Sequence, residues 1–388
     1  MGDHSAVIEP FRVIVAEDDI ADLRQRLERT RWPDQLPGTE WDYGTNLTYL
    51  RELCDYWKDQ YDWRGFERRL NVFPQYVTVI AAQRVHFIHA RSPVPDAKPL
   101  IISHGWPGSV VEFLEVIGPL IDPAAHGGDP ADAFHVIAPS LPGFGFSGPT
   151  HERGFTTRRI AAAFAQLMER LGYQRYFIQG GDWGAMIGTI MAAEHPARVI
   201  ALHLNLIMAN PPDPQNPAAG LDADGLADLA RSEHVQAHEM AYQLLQATKP
   251  QTLAYGLMDS PAGLAGWIVE KFRAWSDCGG DVERSFTKDQ LLDNIGIYWL
   301  TGTINSSARL YYEDLGPGRF QPFPRVAVPT AHARYPAEHY RPPREWAEPG
   351  FNLVRWNKMP RGGHFAAMEE PELFVADVRD FFRGYRSD

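Results

Sequence analysis

The sequence is poor in cysteine and in basic residues, and it has no long apolar run. Cys54 and Cys278 lie far apart without a Cys-x-x-Cys pair, which argues against a disulfide framework and a thiolate metal or redox site. Lysine and arginine number 37 against 49 aspartate and glutamate residues, a formal charge of -12, which argues against nucleic-acid and anionic-membrane partners. No stretch approaches the roughly 20 apolar residues that span a bilayer, and residues 1–10 lack the basic and apolar regions of a signal peptide. We therefore expect a cytoplasmic protein with no membrane partner.

What the sequence does contain is an alternation of short apolar segments and amphipathic helices. The chain has 388 residues, 44% of them hydrophobic, enough for one large core with an insertion. Buried strands that alternate with helices predict an α/β fold with a mostly parallel sheet and helices on both faces. Eight strands are expected, at 76–80, 85–89, 99–103, 134–139, 175–179, 199–206, 325–330 and 351–356.

The same patterns divide the chain into four predicted parts. Residues 1–70, which include a β-rich stretch at 11–15, form an N-terminal segment that wraps the core. Residues 71–209 and 318–388 form the two parts of the sheet core. Residues 210–317 are helical and aromatic in pattern, so they predict a helical cap inserted after the sixth strand.

A sharp turn between a strand and a helix carries a carboxylate where a nucleophile is expected. Strand 175–179 leads into Gly180-Gly181-Asp182-Trp183-Gly184, and a helix follows. The spacing Gly-x-nucleophile-x-Gly is typical of the turn that exposes the nucleophile of an α/β-hydrolase fold. A carboxylate is ionised at neutral pH without a base, so Asp182 can displace a leaving group from an sp³ carbon, as in an epoxide or a haloalkane. An aspartate that only caps the helix is the structural alternative, and the flanking elements and partner residues favour the nucleophile.

Two backbone N–H groups are expected beside this carboxylate. The loop after strand 99–103, His104-Gly105-Trp106-Pro107-Gly108-Ser109, occupies the position that supplies one N–H of the oxyanion hole in this fold. The residue after the nucleophile supplies the other. The candidates are Trp106 and Trp183, whereas His104 is interpreted as a residue that organises the loop.

The base and the acid are expected after the last two strands. In this fold the nucleophile, the acid and the histidine follow one another in that order along the chain. Strand 351–356 leads into Arg361-Gly362-Gly363-His364-Phe365, so His364 is the candidate base. Glu338 is the first carboxylate after strand 325–330, with Glu345 and Glu348 as rivals. The acid would orient His364 and stabilise its imidazolium, and His364 would activate a water that attacks the Asp182 ester.

Other cofactor patterns are weak. His234 and His238 lie four residues apart beside Glu239, but the zinc pattern His-Glu-x-x-His is absent. The glycines at 143 and 145 follow Leu141-Pro142, which breaks a dinucleotide fingerprint, and no Lys-Ser/Thr follows. We therefore expect no cofactor and no metal.

The motifs taken together resemble the microsomal epoxide hydrolase family, including its soluble bacterial members. The resemblance runs from about Ile8 to Tyr385, including the N-terminal segment. It rests on the loop at 104–109, on Gly181-Asp182-Trp183-Gly184, on Tyr298-Trp299-x-Thr301-Gly302-Thr303 and on the loop at 361–365.

The resemblance implies an epoxide and water as reactants and adds two residues to the site. Family members use two cap tyrosines that donate hydrogen bonds to the epoxide oxygen. By motif these are Tyr242, seven residues before Lys249-Pro250, and Tyr311 after Arg309-Leu310, with Tyr312 as the neighbour that could be mistaken for it. Together with Trp106 and Trp183 they are the expected substrate contacts. The resemblance also supports Glu338 as the acid, through Val328-Pro329-Thr330 and Tyr335-Pro336-x-Glu338.

Two further expectations concern the environment of the protein. Membrane forms of the family carry an N-terminal hydrophobic anchor that this sequence lacks, so a soluble enzyme is expected. A homodimer is the candidate assembly.

Two other functions compete with epoxide hydrolysis. A haloalkane dehalogenase would use the same aspartate and histidine, but halide needs indole N–H donors, whereas an alkoxide needs donors such as tyrosine. A non-catalytic ligand-binding protein would usually have lost the nucleophile or the base. The paired tyrosines and the N-terminal segment favour the epoxide.

Overall fold

The computed structural model describes residues 7–387, and its core is one nine-stranded sheet. The strand order is β1-β2-β3-β5-β4-β6-β7-β8-β9. The strands β1, β2, β3 and β5 pair antiparallel, and all pairs from β5 to β9 are parallel. The strands are β1 (Glu9–Phe11), β2 (Gln75–Ile80), β3 (Gln83–Ala90), β4 (Lys98–Ser103), β5 (Phe134–Pro139), β6 (Tyr176–Gly180), β7 (Val199–Leu204), β8 (Val326–Arg334) and β9 (Phe351–Lys358).

All eight expected strands are present, but the sheet has a ninth strand at its edge, so the predicted count of eight is wrong by one. The ninth, β1, pairs antiparallel with β2. The apolar residues that follow β1 do not extend it, because side chains occupy their backbone groups. Val13 exchanges two hydrogen bonds with the amide of Asn71, and Val15 N–H donates to Glu67 Oε1 at 2.6 Å.

Helices cover the sheet and fill the segment between β7 and β8. Helices α5 and α6 pack together against the sheet, as do α4 and α15. The helices are α1 (Glu17–Glu28), α2 (Leu47–Asp59), α3 (Trp63–Leu70), α4 (Leu114–Ile121), α5 (Thr157–Arg170), α6 (Asp182–Glu194), α7 (Ala223–His238), α8 (Ala241–Thr248), α9 (Pro250–Asp259), α10 (Pro261–Ala274), α11 (Lys288–Thr301), α12 (Ile304–Leu315), α13 (Arg344–Ala347), α14 (Ala366–Glu369) and α15 (Pro371–Arg383).

The burial of the central strands explains their sequence. Leu100, Ile101 and Ile102 of β4 are consecutive and fully buried. A parallel strand with helices on both faces has no solvent side, so its sequence is continuously apolar rather than alternating. This is why β4 and its neighbours could be predicted from apolar runs alone.

The insertion consists of α7 to α12, and it contacts the N-terminal segment. Thr45 donates to the Gly266 carbonyl at 2.7 Å, and the Tyr61 hydroxyl donates to Asp293 Oδ1 at 2.8 Å. Counting β1, the insertion follows the seventh strand. The domain limits at 70, 209 and 317 stay predictions. Within residues 7–387, no helix combines the length and the apolar character that crossing a bilayer requires.

The parallel strands bring the predicted site residues to one edge. Trp106, Asp182, Glu338 and His364 follow β4, β6, β8 and β9, respectively. Carboxyl ends of neighbouring parallel strands lie at the same edge of the sheet, where ligands of such folds bind.

Candidate active site

Asp182 lies at the first position of α6, in a tight turn after β6. Its φ angle is 48°, in the left-handed region that residues other than glycine rarely adopt. Gly184 makes the turn possible, because a Cβ atom there would overlap the backbone oxygen of Ser103 in the neighbouring β4. The predicted close approach of helix and strand is therefore present, and it projects the carboxylate from the end of the sheet.

Both predicted N–H groups point at the Asp182 carboxylate. The Trp106 N–H donates to Asp182 Oδ1 at 2.7 Å, and the Trp183 N–H also bonds the carboxylate. Burial raises the pKa of Asp182 above its ordinary value, while His364 and the two N–H groups oppose the rise. His104 organises the loop as interpreted, since its Nδ1 lies 3.0 Å from the Gly105 carbonyl oxygen and its Nε2 accepts from Leu141 N–H.

His364 lies between Asp182 and Glu338. Its Nδ1 is 2.8 Å from Glu338 Oε1 and 3.0 Å from Oε2, and its Nε2 is 3.7 Å from Asp182 Oδ2. Burial lowers the pKa of His364, but Glu338, Asp182 and Glu112 outweigh it and raise the pKa to about 9. For Glu338, burial alone would raise the pKa, but its two histidine neighbours outweigh burial and hold the pKa well below the ordinary value.

The rival carboxylates lie away from His364. Glu348 is exposed and pairs with Arg344 at 2.8 Å, and Glu345 lies beside Gly225 of α7. Of the three candidates, Glu338 is the one that the loop after β8 brings to the histidine.

Tyr242 of α8 and Tyr311 of α12 lie together over the nucleophile. Their ring centroids are 5.9 Å apart, and the Tyr311 ring stands edge-on to Trp183 at 4.7 Å. Burial holds the pKa of both phenols well above the ordinary value, so both remain protonated donors at neutral pH. The Tyr311 hydroxyl has no well-aligned hydrogen bond within the described part of the chain. Tyr312 is outside this group, with its ring beneath Arg319.

A cavity of about 650 Å³ extends from Asp182 between the sheet edge and the insertion. Trp183, Tyr242 and Tyr311 line it, whereas the Trp106 ring is buried behind Tyr242 at 5.2 Å. The rest of the wall is mostly apolar, and it includes Met186, Leu206, Met208, Val235, Met240, Leu315, Phe320 and Trp346.

Comparison with known proteins identifies the family. The model "Epoxide hydrolase N terminus" matches residues 8–113, and the model "alpha/beta hydrolase fold" matches residues 98–264. The chain is 45% identical to a putative epoxide hydrolase of Stigmatella aurantiaca, over 98% of this chain and 86% of that protein. It is 40% identical to epoxide hydrolase 1 of Oryctolagus cuniculus, over 96% of this chain and 88% of that protein. The chain belongs to the epoxide hydrolase family.

Solved structures of epoxide hydrolases agree with this assignment. The juvenile hormone epoxide hydrolase of the silkworm Bombyx mori superposes with a TM-score of 0.90 at 34% identity, over 98% of this chain and 95% of that one. The Aspergillus niger epoxide hydrolase gives a TM-score of 0.86 at 30% identity, over 98% and 97%. These comparisons confirm the resemblance and the α/β-hydrolase fold. They also confirm the assignment to the epoxide hydrolases, which are hydrolases acting on ether bonds.

Two polar residues of this epoxide hydrolase site were not singled out from the sequence. Glu112 follows the loop at 104–109 in a short helix, Val110–Phe113, and burial raises its pKa to about 8. His339 follows Glu338 and contacts it. Neither stands in a spacing that predicts a role, although the adjacency of His339 to the candidate acid was a visible signal.

Three of these side chains also form a set of the kind that binds metals. Glu338, His339 and His364 each offer one ligand atom, all within 4.8 Å. Glu338 Oε1 already lies 2.7 Å and 2.8 Å from the Nδ1 atoms of the two histidines. The contact with His364 is a hydrogen bond, and it engages the ring nitrogen and the carboxylate oxygen that a metal ion would need.

Proposed function

We propose that this protein converts an epoxide to a vicinal diol through a covalent alkyl ester on Asp182. The observation that carries the proposal is that the Asp182 carboxylate and two buried phenols line one cavity. An epoxide seated there would meet a nucleophile at its carbon and hydrogen-bond donors at its oxygen.

In the first step, a carboxylate oxygen of Asp182 attacks a ring carbon and the ring C–O bond breaks. The departing oxygen takes up negative charge, and the hydroxyls of Tyr242 and Tyr311 stabilise it by hydrogen bonding and proton donation. The phenol that gives up its proton regains one from water. The product is a neutral ester between Asp182 and the substrate.

Formation of the ester also prepares the base. Asp182 is one of the charges that raise the pKa of His364, and that charge disappears when the carboxylate becomes an ester. The pKa of His364 therefore falls, and the imidazole becomes free to accept a proton near neutral pH.

In the second step, His364 removes a proton from water as the water oxygen attacks the Asp182 carboxyl carbon. The oxyanion that forms accepts hydrogen bonds from Trp106 and Trp183. When it collapses, the bond between the carboxyl carbon and the ester oxygen breaks, and the leaving alkoxide takes the proton from His364. Asp182 is left as a carboxylic acid, and it releases its proton to solvent, which restores the carboxylate and neutralises the hydroxide left by the first step. Glu338 orients the imidazole and stabilises its cation throughout.

The charge of the cavity wall indicates the class of substrate. Apart from Asp182, the carboxylate on the wall is that of Glu233, and no lysine or arginine lines the cavity within the described residues. A substrate carboxylate would lose its hydration there without gaining a cationic partner. We therefore propose a neutral, largely apolar epoxide.

Diol formation from a panel of epoxides tests the activity, with haloalkanes alongside and Asp182→Ala as the control. We expect diol from the wild-type protein and none from the variant, with neutral epoxides preferred over epoxides that carry a carboxylate. Halide release without diol would contradict the proposal and support dehalogenation. Ligand binding without turnover would support a non-catalytic protein. A cytoplasmic location and a homodimer stay predictions.

A further inference from the structure

The loop that carries His364 lies directly on the insertion. This loop, residues 361–365 and here called the base loop, meets residues 275–277, which follow α10. The His364 N–H donates to the Trp275 carbonyl at 2.9 Å. A Cβ atom at Gly363 would overlap the same carbonyl oxygen, so the two backbones are in direct contact.

Glu369, at the end of α14, joins the two segments. Its Oε1 accepts from the Phe365 N–H at 3.0 Å, and its Oε2 accepts from the Asp277 N–H at 2.7 Å. One carboxylate therefore binds the base loop with one oxygen and the insertion with the other. A further bond crosses at the same place, from the Gly362 N–H to Asp277 Oδ2 at 3.0 Å.

These bonds hold the backbone on both sides of His364. Trp275 accepts from the peptide group before it, and Glu369 accepts from the peptide group after it. The base loop needs such support because Gly362 and Gly363 precede the histidine, and glycine restricts the backbone little. The direction of the His364 side chain follows from its backbone, so the contacts that fix the backbone also fix the ring.

Glu369 can act on the reaction only through the base loop. It lies outside the cavity that contains Asp182, so it does not contact a substrate seated there. Burial raises the pKa of Glu369 to about 8, while the two N–H groups and the nearby His364 oppose the rise. Above that pH the carboxylate is ionised, and both of its oxygens are acceptors.

We infer that Glu369 is a positioning residue that binds the base loop to residues 275–277 and thereby holds His364 in place for ester hydrolysis. The inference rests on the proposed function of His364 and adds a residue to it. Because His364 acts as a base in the second step only, a loosened base loop should slow ester hydrolysis and leave ester formation unchanged. A general loss of structure would slow both steps.

Two substitutions of Glu369 separate its hydrogen bonds from its charge. Glu369→Gln removes the charge but keeps an oxygen for one of the two N–H groups. Glu369→Met, which is of similar length, removes the charge and both acceptors. The matched control is Glu370→Gln, because the neighbouring Glu370 pairs with the side chain of Arg361 at 2.7 Å. This control removes a charge beside the base loop without changing the bonds to Phe365 and Asp277.

Single-turnover kinetics measure the two steps separately. The probe is the neutral epoxide that gives diol fastest in the panel above, and the mass of the intact protein after rapid quenching reports the ester. The reaction is run at about pH 9, above the pKa of Glu369, after thermal unfolding has shown that the variants fold. We expect ester hydrolysis to slow about tenfold in Glu369→Gln and about 100-fold in Glu369→Met, since small displacements of a catalytic group have effects of this size. Ester formation in both variants, and both steps in Glu370→Gln, should stay within about twofold of the wild-type rates.

Three results would overturn the inference. One is ester hydrolysis at the wild-type rate in both variants of Glu369. Another is an equal slowing in Glu369→Gln and Glu369→Met, which would assign the effect to the lost charge and not to the lost acceptors. The third is a loss of rate that affects both steps alike. If Glu369→Met does not fold, the result for Glu369→Gln decides alone.

A separate arm tests the proposed function on which the inference rests. His364→Asn should form the ester and fail to hydrolyse it. If this variant turned over like the wild type, the proposed role of His364 would fail, whatever the Glu369 variants show. If His364→Asn behaves as expected and the Glu369 variants hydrolyse the ester at the wild-type rate, only the inference on Glu369 fails.

Discussion

Replacing Glu338 by glutamine should separate the two proposed chemical steps. The amide is nearly the same size and keeps one oxygen that can accept from His364 Nδ1, so the loop after β8 keeps its path. The negative charge is lost. Attack by Asp182 does not require that charge, whereas hydrolysis of the ester does.

The size of the effect follows from the state of His364. Its pKa is about 9 against an ordinary value of 6.5, and each unit corresponds to about 1.4 kcal/mol, so its surroundings stabilise the imidazolium by roughly 3 kcal/mol. Glu338 is one of three charges that raise this pKa, and the Asp182 charge is already absent in the ester, so loss of the Glu338 share when water attacks would slow ester hydrolysis by up to roughly 100-fold. If the amide also misorients the ring, the loss approaches the roughly 10⁴-fold effect known for a serine-protease triad whose acid becomes an amide.

The assay is the mass of the intact protein after mixing with excess epoxide. Glu338→Gln should accumulate as a species heavier by one substrate molecule, with rapid ester formation and slow release of diol. Asp182→Ala, treated in the same way, should gain no mass. Diol turnover within about tenfold of the wild-type rate, with no accumulated ester, would refute the reasoning.

Three further predictions concern other parts of the structure. Tyr242→Phe and Tyr311→Phe should each slow ester formation by about 10²-fold, as measured by stopped-flow kinetics. The control is Tyr312→Phe, because the Tyr312 ring lies under Arg319, and its rate of ester formation should stay within about twofold of the wild-type rate. Equal effects in all three variants would contradict the assignment. Gly184→Ala should lower the free energy of unfolding by about 2–3 kcal/mol, because the new methyl group would overlap the Ser103 oxygen. Gly256 of α9 has open space around it, so Gly256→Ala should be neutral or stabilising by up to about 1 kcal/mol. Chemical denaturation measures both changes, and similar values for the two variants would argue against the close approach of Gly184 to β4. Because the folded-state pKa of His364 is raised to about 9, its contribution to stability is fully present below pH 6.5 and is lost as the pH rises through about 9. The difference in unfolding temperature between the wild type and Glu338→Gln should therefore narrow over that range. A difference that stays constant would count against the raised pKa.

The residues that could be predicted from the sequence are those whose surroundings are local. Asp182 lies in a turn whose glycines, preceding strand and following helix are all neighbours in the chain. The loop of His364 likewise follows directly on β9. Short-range pattern was enough for both, and for the buried strands that position them.

The residues that depend on distant packing were harder to predict. Glu338 could be separated from Glu345 and Glu348 only modestly by spacing, because the path of the loop after β8 depends on what packs around it. Tyr242 and Tyr311 came from the family resemblance, since nothing local predicts how α8 and α12 lie over the sheet.

The features that were not predicted, strand β1 and His339, also depend on packing between distant parts of the chain. The strand β1 forms because Glu9–Phe11 meets β2 more than sixty residues away in the chain and because Asn71 and Glu67 occupy the backbone beyond it. His339 has no pattern around it, and its contacts with Trp275 and His364 arise only in the folded chain.

The most direct test of the central claim is a single turnover in water enriched in oxygen-18, with the enzyme in excess over the epoxide. If Asp182 forms an ester, the first diol carries one oxygen from the epoxide and one from Asp182, both unlabelled, and the peptide that contains Asp182 becomes heavier by one labelled oxygen. A diol labelled in the first turnover, with Asp182 unlabelled, would mean that water attacks the epoxide directly and would contradict the account.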